Sequence, residues 1–95
     1  MFFGLFFLGC YAQTDLDLAA SYYERGEFEK ALYLYQKLLN AQPKNSNYAF
    51  RLIKIQQELQ QFKAADSLIN GLLKNTKNPQ YFIELGYNFQ LQNQL

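Results

Sequence analysis

Among the chain's 8 carboxylates two pairs lie two residues apart, and beside them stand one thiol and no imidazole for acid–base or covalent chemistry. The pairs are Asp15/Asp17 and Glu27/Glu29. Two carboxylates share acid–base work only when they face one another, and an i, i+2 pair on a helix points to different sides. Both pairs fall near expected helix starts, where negative charge complements the helix dipole, so a structural use is expected. The lack of histidine removes the commonest general base and metal ligand. Cys10 stands alone, which permits no internal disulfide and no thiolate metal site. Neither enzymatic activity nor a cofactor is expected.

Binding is the remaining kind of work. With 95 residues, 49% hydrophobic and 18% aromatic, the chain can build one packed domain. Its net charge is +1, and Arg25, Lys30, Lys37 and Lys44 are interleaved with Glu24, Glu27 and Glu29. No basic patch of the kind that tracks a phosphate backbone is formed, so nucleic acid is not an expected partner.

The first charged side chain is Asp15. Ahead of it, Phe2 to Gly9 is an apolar run of signal-peptide length, too short to span a bilayer as a helix. Residues 1–12 therefore read as a signal peptide or apolar leader. Cys10-Tyr11-Ala12 offers small residues where a signal peptidase reads, with cleavage after Ala12 leaving Gln13 first. Phe7-Leu8-Gly9-Cys10 also resembles a bacterial lipobox, which makes Cys10 a candidate for lipidation and membrane attachment; Phe7 stands where that motif carries Leu. The α-amino group is the sole positive charge before the run, and a buried N-terminal strand or helix is the third reading. An exported, periplasmic or envelope-associated location follows from the first two.

The elements that would position a binding surface show up as internal repetition. Leu18 recurs 34 positions on as Leu52, and 33 further as Leu85. Phe28 recurs as Phe62, Ala31 as Ala65, Tyr35 as Ile69 and Leu38 as Leu72, each after 34. Within a unit the apolar residues step by three or four, as one face of a helix requires. Gly26 separates two such series, where a chain leaving a helix needs positive φ. Thr14 with Asp17 reads as a capping box, and Asn78-Pro79 as an N-cap followed by proline at the first helical position. The spacing predicts five helices near 14–25, 27–41, 46–59, 61–75 and 79–92. Ala19, Ala31, Ala65 and Gly86 are expected to let helices approach closely, with Tyr22, Tyr35 and Phe89 filling the larger gaps. The glutamines (Gln56, Gln57, Gln60, Gln61, Gln90, Gln92 and Gln94) read as a solvated helix surface.

These residues resemble the tetratricopeptide repeat. The first unit carries the pattern in Leu18-Ala19, Tyr22, Gly26, Phe28, Ala31, Tyr35 and Pro43. The second keeps Leu52, Phe62, Ala65, Ile69 and Leu72, and departs from it at Ile53, Gln56 and Gln60. The third has Phe82, Leu85-Gly86 and Phe89. The resemblance implies an all-α fold, a right-handed α-solenoid of stacked antiparallel helix pairs over residues 13–95. It would hold about two and a half repeats, near 12–45, 46–78 and an incomplete 79–95. It also implies that a peptide or partner protein binds the inner face, lined by the first helix of each unit. By register that face carries Tyr23, Asn47, Phe50, Lys54, Gln57, Tyr87 and Gln90. Rings order few torsions and amides can bond an extended backbone; packing on adjacent helices is the competing use of Tyr23, Phe50 and Tyr87. Only Lys54 is a cation clearly in register, so a clamp for a terminal carboxylate is not expected.

Asn93-Gln94-Leu95 falls one period after Gln60-Gln61-Phe62, at the turn before a sixth helix. Phe82, Leu85 and Phe89 are then expected to lack their usual cover. One reading makes helix 79–92 itself the cap of the array; in the other, a longer chain, or a homodimer through this uncapped last helix, supplies the cover. The expected function is a non-catalytic protein-interaction scaffold. The alternatives are the input segment of a larger signalling or enzymatic envelope protein, and a small envelope lipoprotein.

Overall fold

The computed structural model describes residues 11–94, and these form five α-helices and no strand. They are α1 (Tyr11–Glu24), α2 (Phe28–Ala41), α3 (Ser46–Glu58), α4 (Phe62–Leu73) and α5 (Pro79–Asn93). The molecule is an all-α helical repeat, with every expected helix present and its ends within three residues of expectation. Cys10, and with it the lipidation reading, lies outside the described residues.

The turns show why the chain breaks where it does. After α1, Gly26 adopts φ +78°, its N–H donating to the Tyr23 carbonyl at 3.1 Å while that of Glu27 donates to Tyr22 at 2.9 Å. That pair of bonds closes a helix end around a left-handed residue. Thirty-four residues later Gln60 repeats the geometry at φ 59°, with Gln60 N–H bonded to Gln57 and Gln61 N–H to Gln56. The backbone demand recurs although the glycine does not. Asn45 caps α3 by accepting from Tyr48 N–H at 3.2 Å, after a turn with Pro43 at its second position and Asn45 N–H bonded to Gln42. Asn78 caps α5 through Gln80 N–H at 3.0 Å, with Pro79 first in the helix as expected. The expected box at Thr14 does not start α1, which already includes Tyr11. Ala12 and Gln13 are good helix formers, and a capping threonine fixes a start only where the chain before it leaves the helix.

By contacts the chain divides into two compact units, with the boundary between Leu52 and Ile53 inside α3. In the first, α2 buries Ala31, Leu34, Tyr35, Leu38 and Leu39, an unbroken stripe at three- and four-residue steps. Ala19 and Ala31 have no exposed surface, as close helix approach requires. Asp15 near the start of α1 meets Lys37 near the end of α2 at 3.5 Å, and Tyr23 stacks edge-on against Phe28 at 5.6 Å. The two helices are therefore antiparallel. Glu27 takes Arg25 at 3.2 Å and Lys30 at 3.0 Å; the hydrogen bond from Lys30 lowers its pKa, and the same bond raises that of Lys30. The acidic residues at this turn serve structure. Burial pushes the Tyr35 phenol up, against the opposing pull of Arg51.

In the second unit α3 contributes Ile53, Ile55, Gln56 and Gln57, all buried, and α4 contributes Ala65 and Ile69. The expectation of a solvated glutamine surface fails at Gln56 and Gln57, since α3 is covered on most of its circumference. Gln56 Oε1 is buried with no hydrogen-bond partner among the described residues. Gln60, Gln61, Gln90 and Gln94 are exposed as expected, and Gln92 is half-buried. The last helix leaves Phe82 and Phe89 without cover among the described residues, as expected, but turns polar residues inward. It buries Tyr81, Glu84 and Asn88, while Phe82, Ile83 and Phe89 are 59%, 61% and 66% exposed. A Cβ added at Gly86 meets nothing within 4 Å, so Gly86 serves no close approach and Phe89 fills no gap. Leu18, expected inside, is exposed as well.

The strained turn gives a direct test. Gln60→Gly removes the steric penalty of a left-handed side chain and is expected to stabilise the fold by about 1 kcal/mol. Thermal denaturation should show a rise in Tm of roughly 4–8 °C; an unchanged or lower Tm would contradict the role assigned to this turn.

Candidate functional site

Helical spacing places Lys54 and Gln57 one turn apart on α3, and Glu84 and Asn88 one turn apart on α5. The four side chains pair across the second unit. Lys54 Nζ donates to Glu84 Oε1 at 2.9 Å, and Gln57 Nε2 donates to Asn88 Oδ1 at 3.4 Å. Both pairs link residues about thirty positions apart in the same order, so α3 and α5 run in the same direction here. The same helix also bonds to α4. Asn88 Nδ2 donates to the Phe62 carbonyl at 2.9 Å and to Asp66 Oδ1 at 2.6 Å, and Gln92 Nε2 donates to Asp66 Oδ2 at 3.2 Å.

Asn88 has no exposed surface, yet both its donor and its acceptor atoms are engaged. Glu84 is equally enclosed, its carboxylate held by Lys54 on one oxygen and by Gln80 Nε2 at 3.4 Å on the other. Taking a carboxylate out of water costs several kcal/mol unless a counter-charge and hydrogen bonds replace the solvent. Lys54 supplies that charge while its ammonium also lies 4.7 Å from the centre of the Tyr87 ring. Burial raises the Tyr81 phenol pKa at the start of the same helix.

Beside this network lies an open cavity of about 280 Å³. Lys54, Gln57, Phe62, Tyr87 and Leu91 form its wall, with Glu58, Gln60 and Gln94 around it. One cation, one anion, two rings and three amides in such a hollow suit recognition of a polypeptide segment. They offer no nucleophile with an activating base. Among the described residues no cluster of His, Cys, Asp or Glu could hold a metal ion, and no helix is long and apolar enough to cross a membrane. The first unit has its own shallow hollow of about 510 Å³, bordered by Leu18, Tyr22, Tyr33 and Leu34.

Of the residues assigned to the inner face by register, Lys54, Gln57 and Tyr87 meet in the cavity of the second unit. Gln57 does so as a buried residue, and Gln90 is exposed and outside the lining. In the first unit Tyr23 is half-buried, with the Arg51 guanidinium 4.1 Å from its ring centre. Asn47 is exposed in the first turn of α3, and Phe50 is half-buried. The sequence reading passed over Arg51, Asp66, Glu84 and Asn88. A usable signal existed for the last two: polar residues at i, i+4 on a helix whose neighbours carry Lys54 and Asp66.

Compared with known proteins, residues 22–83 match a family model described as the tetratricopeptide repeat. No curated protein and no solved structure matches the chain significantly.

Removing the buried amide tests whether the network holds the second unit together. Asn88→Ala leaves the Phe62 carbonyl and Asp66 without their donor and is expected to cost roughly 2–3 kcal/mol. Urea denaturation reads this directly, and a loss below that of an exposed control such as Gln90→Ala would show that the network contributes nothing.

Proposed function

Because the chain belongs to the tetratricopeptide repeat family, we propose that it is a non-catalytic scaffold that holds a peptide or an extended segment of a partner protein on its first-helix face. Repeats of this family generally mediate protein–protein interaction and are typically not enzymes. The observation that carries the reading is the convergence of Lys54 and Gln57 of α3 with Tyr87 of α5 in one cavity. The cavity gives a bound chain apolar rests on Phe62, Tyr87 and Leu91 and the exposed rim amides of Gln60 and Gln94 for hydrogen bonds. Of the remaining register positions, Gln90 adds to the proposed surface on α5, and Tyr23, Asn47 and Phe50 belong to the first unit's own share of it.

The apolar run ahead of Asp15 supports an exported, periplasmic or envelope location of the bacterial type. The exposed Phe82, Ile83 and Phe89 on α5 support a further contact, which a second copy of the chain would satisfy.

Two measurements test these readings. A photo-crosslinking amino acid at position 87 should trap a discrete partner in the native host, whereas one at exposed Lys44 should not. Equal yields at both positions would remove Tyr87 from the binding face. Mass spectrometry of the mature N-terminus should find either Gln13 as first residue or acyl mass on Cys10; an intact unmodified Met1 start would end the export proposal.

A further inference from the structure

We propose that the cavity at Lys54 and Tyr87 selects polypeptide segments carrying a basic side chain, and rejects the acidic or C-terminal carboxylate ligands that a lone lysine in a groove suggests. The inference rests on the interaction reading above and specifies the chemistry of its occupant.

Two charged residues border the cavity, Lys54 and Glu58. Lys54 is already committed. Its ammonium sits 2.9 Å from a Glu84 carboxylate whose side chain is only 8% exposed, and it covers the Tyr87 ring at 4.7 Å. An incoming carboxylate could reach that ammonium only by competing with Glu84, and success would leave a buried carboxylate without its counter-charge. Glu58 is in the opposite condition. It is exposed and forms no ion pair or hydrogen bond among the described residues. With Lys54 and Glu84 cancelling, the unpaired charge in the cavity's own lining is the carboxylate of Glu58, while exposed Lys63 borders the neighbouring hollow.

The wall fits the same occupant. Phe62 and Leu91 are half-buried apolar surfaces within the lining, on which the methylene stem of an arginine or lysine can lie while its head reaches water and Glu58. Gln60 and Gln94 are exposed amides at the cavity, able to bond the main chain of the bound segment on either side. Reversing the sign of the ligand's charge about 6 Å from Glu58 in a watery rim changes binding by about tenfold at low ionic strength. The preference shrinks as salt shortens the Debye length.

The test is a ¹⁵N-resolved NMR titration of the full chain with two capped heptapeptides. They are identical except for a central arginine or a central glutamate between two leucines. The expected result is saturable shifts at Glu58, Phe62, Tyr87 and Leu91, with the arginine peptide binding about tenfold tighter at low salt. Glu58→Gln, a change on the exposed rim, should abolish the preference without moving Tm. Equal or tighter binding of the glutamate peptide overturns the charge selection and leaves the interaction reading standing, as does a preference that survives Glu58→Gln. Shifts confined to the first unit overturn the assignment of this cavity alone. Absence of shifts with either peptide overturns both the selection and the peptide-binding reading of this face.

Discussion

A side-chain amide sealed from water has to find partners for its donors and its acceptor, and at Asn88 that demand sets the rotation of α5 within the second unit. Turning the helix by one residue, about 100°, would bring Phe89 inward in its place. The apolar gain would be real, but Asp66 and the Phe62 carbonyl would lose their donor, and Glu84 would leave Lys54. Unpaired buried polar groups cost about 1–3 kcal/mol each and charges more. A network of this kind contributes little net stability compared with apolar packing, yet it penalises every alternative rotation. Its contribution here is to specificity of arrangement.

That balance explains what could be read from the sequence and what could not. The helices and their order followed from residues that recur at thirty-four positions, because Ala31 and Ala65 or Tyr35 and Ile69 meet the same packing environment in each unit. Turn chemistry was legible where one residue type answers one backbone need, as at Gly26 and Asn78-Pro79. At Gln60 the need persisted without the residue, and only periodicity pointed to it. The rotation of α5 was misread because apolar type was taken as the sign of burial. Leu85, Gly86 and Phe89 continued the repeat pattern, while Glu84 and Asn88 belong to no position of that pattern. Their burial depends on Lys54 and Asp66 lying opposite, which is a fact about three helices and not about one. Gln56 and Gln57 were misplaced for the same reason, on a helix enclosed around most of its circumference.

The site follows the same logic. Read as a list of residue types, Lys54 is the one cation on the expected binding face, too little for a carboxylate clamp but silent on what charge a ligand meets. Read with its partners, the lysine is half of a neutral pair whose other half cannot be exposed without penalty. What a ligand encounters is therefore decided by the charge that has no partner, Glu58, and by the uncharged surfaces beside it. Inventories of charged residues mislead wherever a buried counter-ion belongs to another helix.

One consequence reaches beyond the cavity. In the second unit α5 turns its polar side inward and leaves Phe82, Ile83 and Phe89 in water, so its attachment depends on Tyr81 and on hydrogen bonds worth about 1 kcal/mol each net. Burying a phenylalanine yields roughly 1.5–3 kcal/mol, so a partner that covered the outer face would stabilise α5 by an amount comparable to the contacts made inside the unit. Since Tyr87 and Leu91 belong to this helix and also line the cavity, covering the outer face and ordering the cavity wall are thermodynamically linked. A ligand in the cavity and a partner on the outer face would then each stabilise the helix that the other requires.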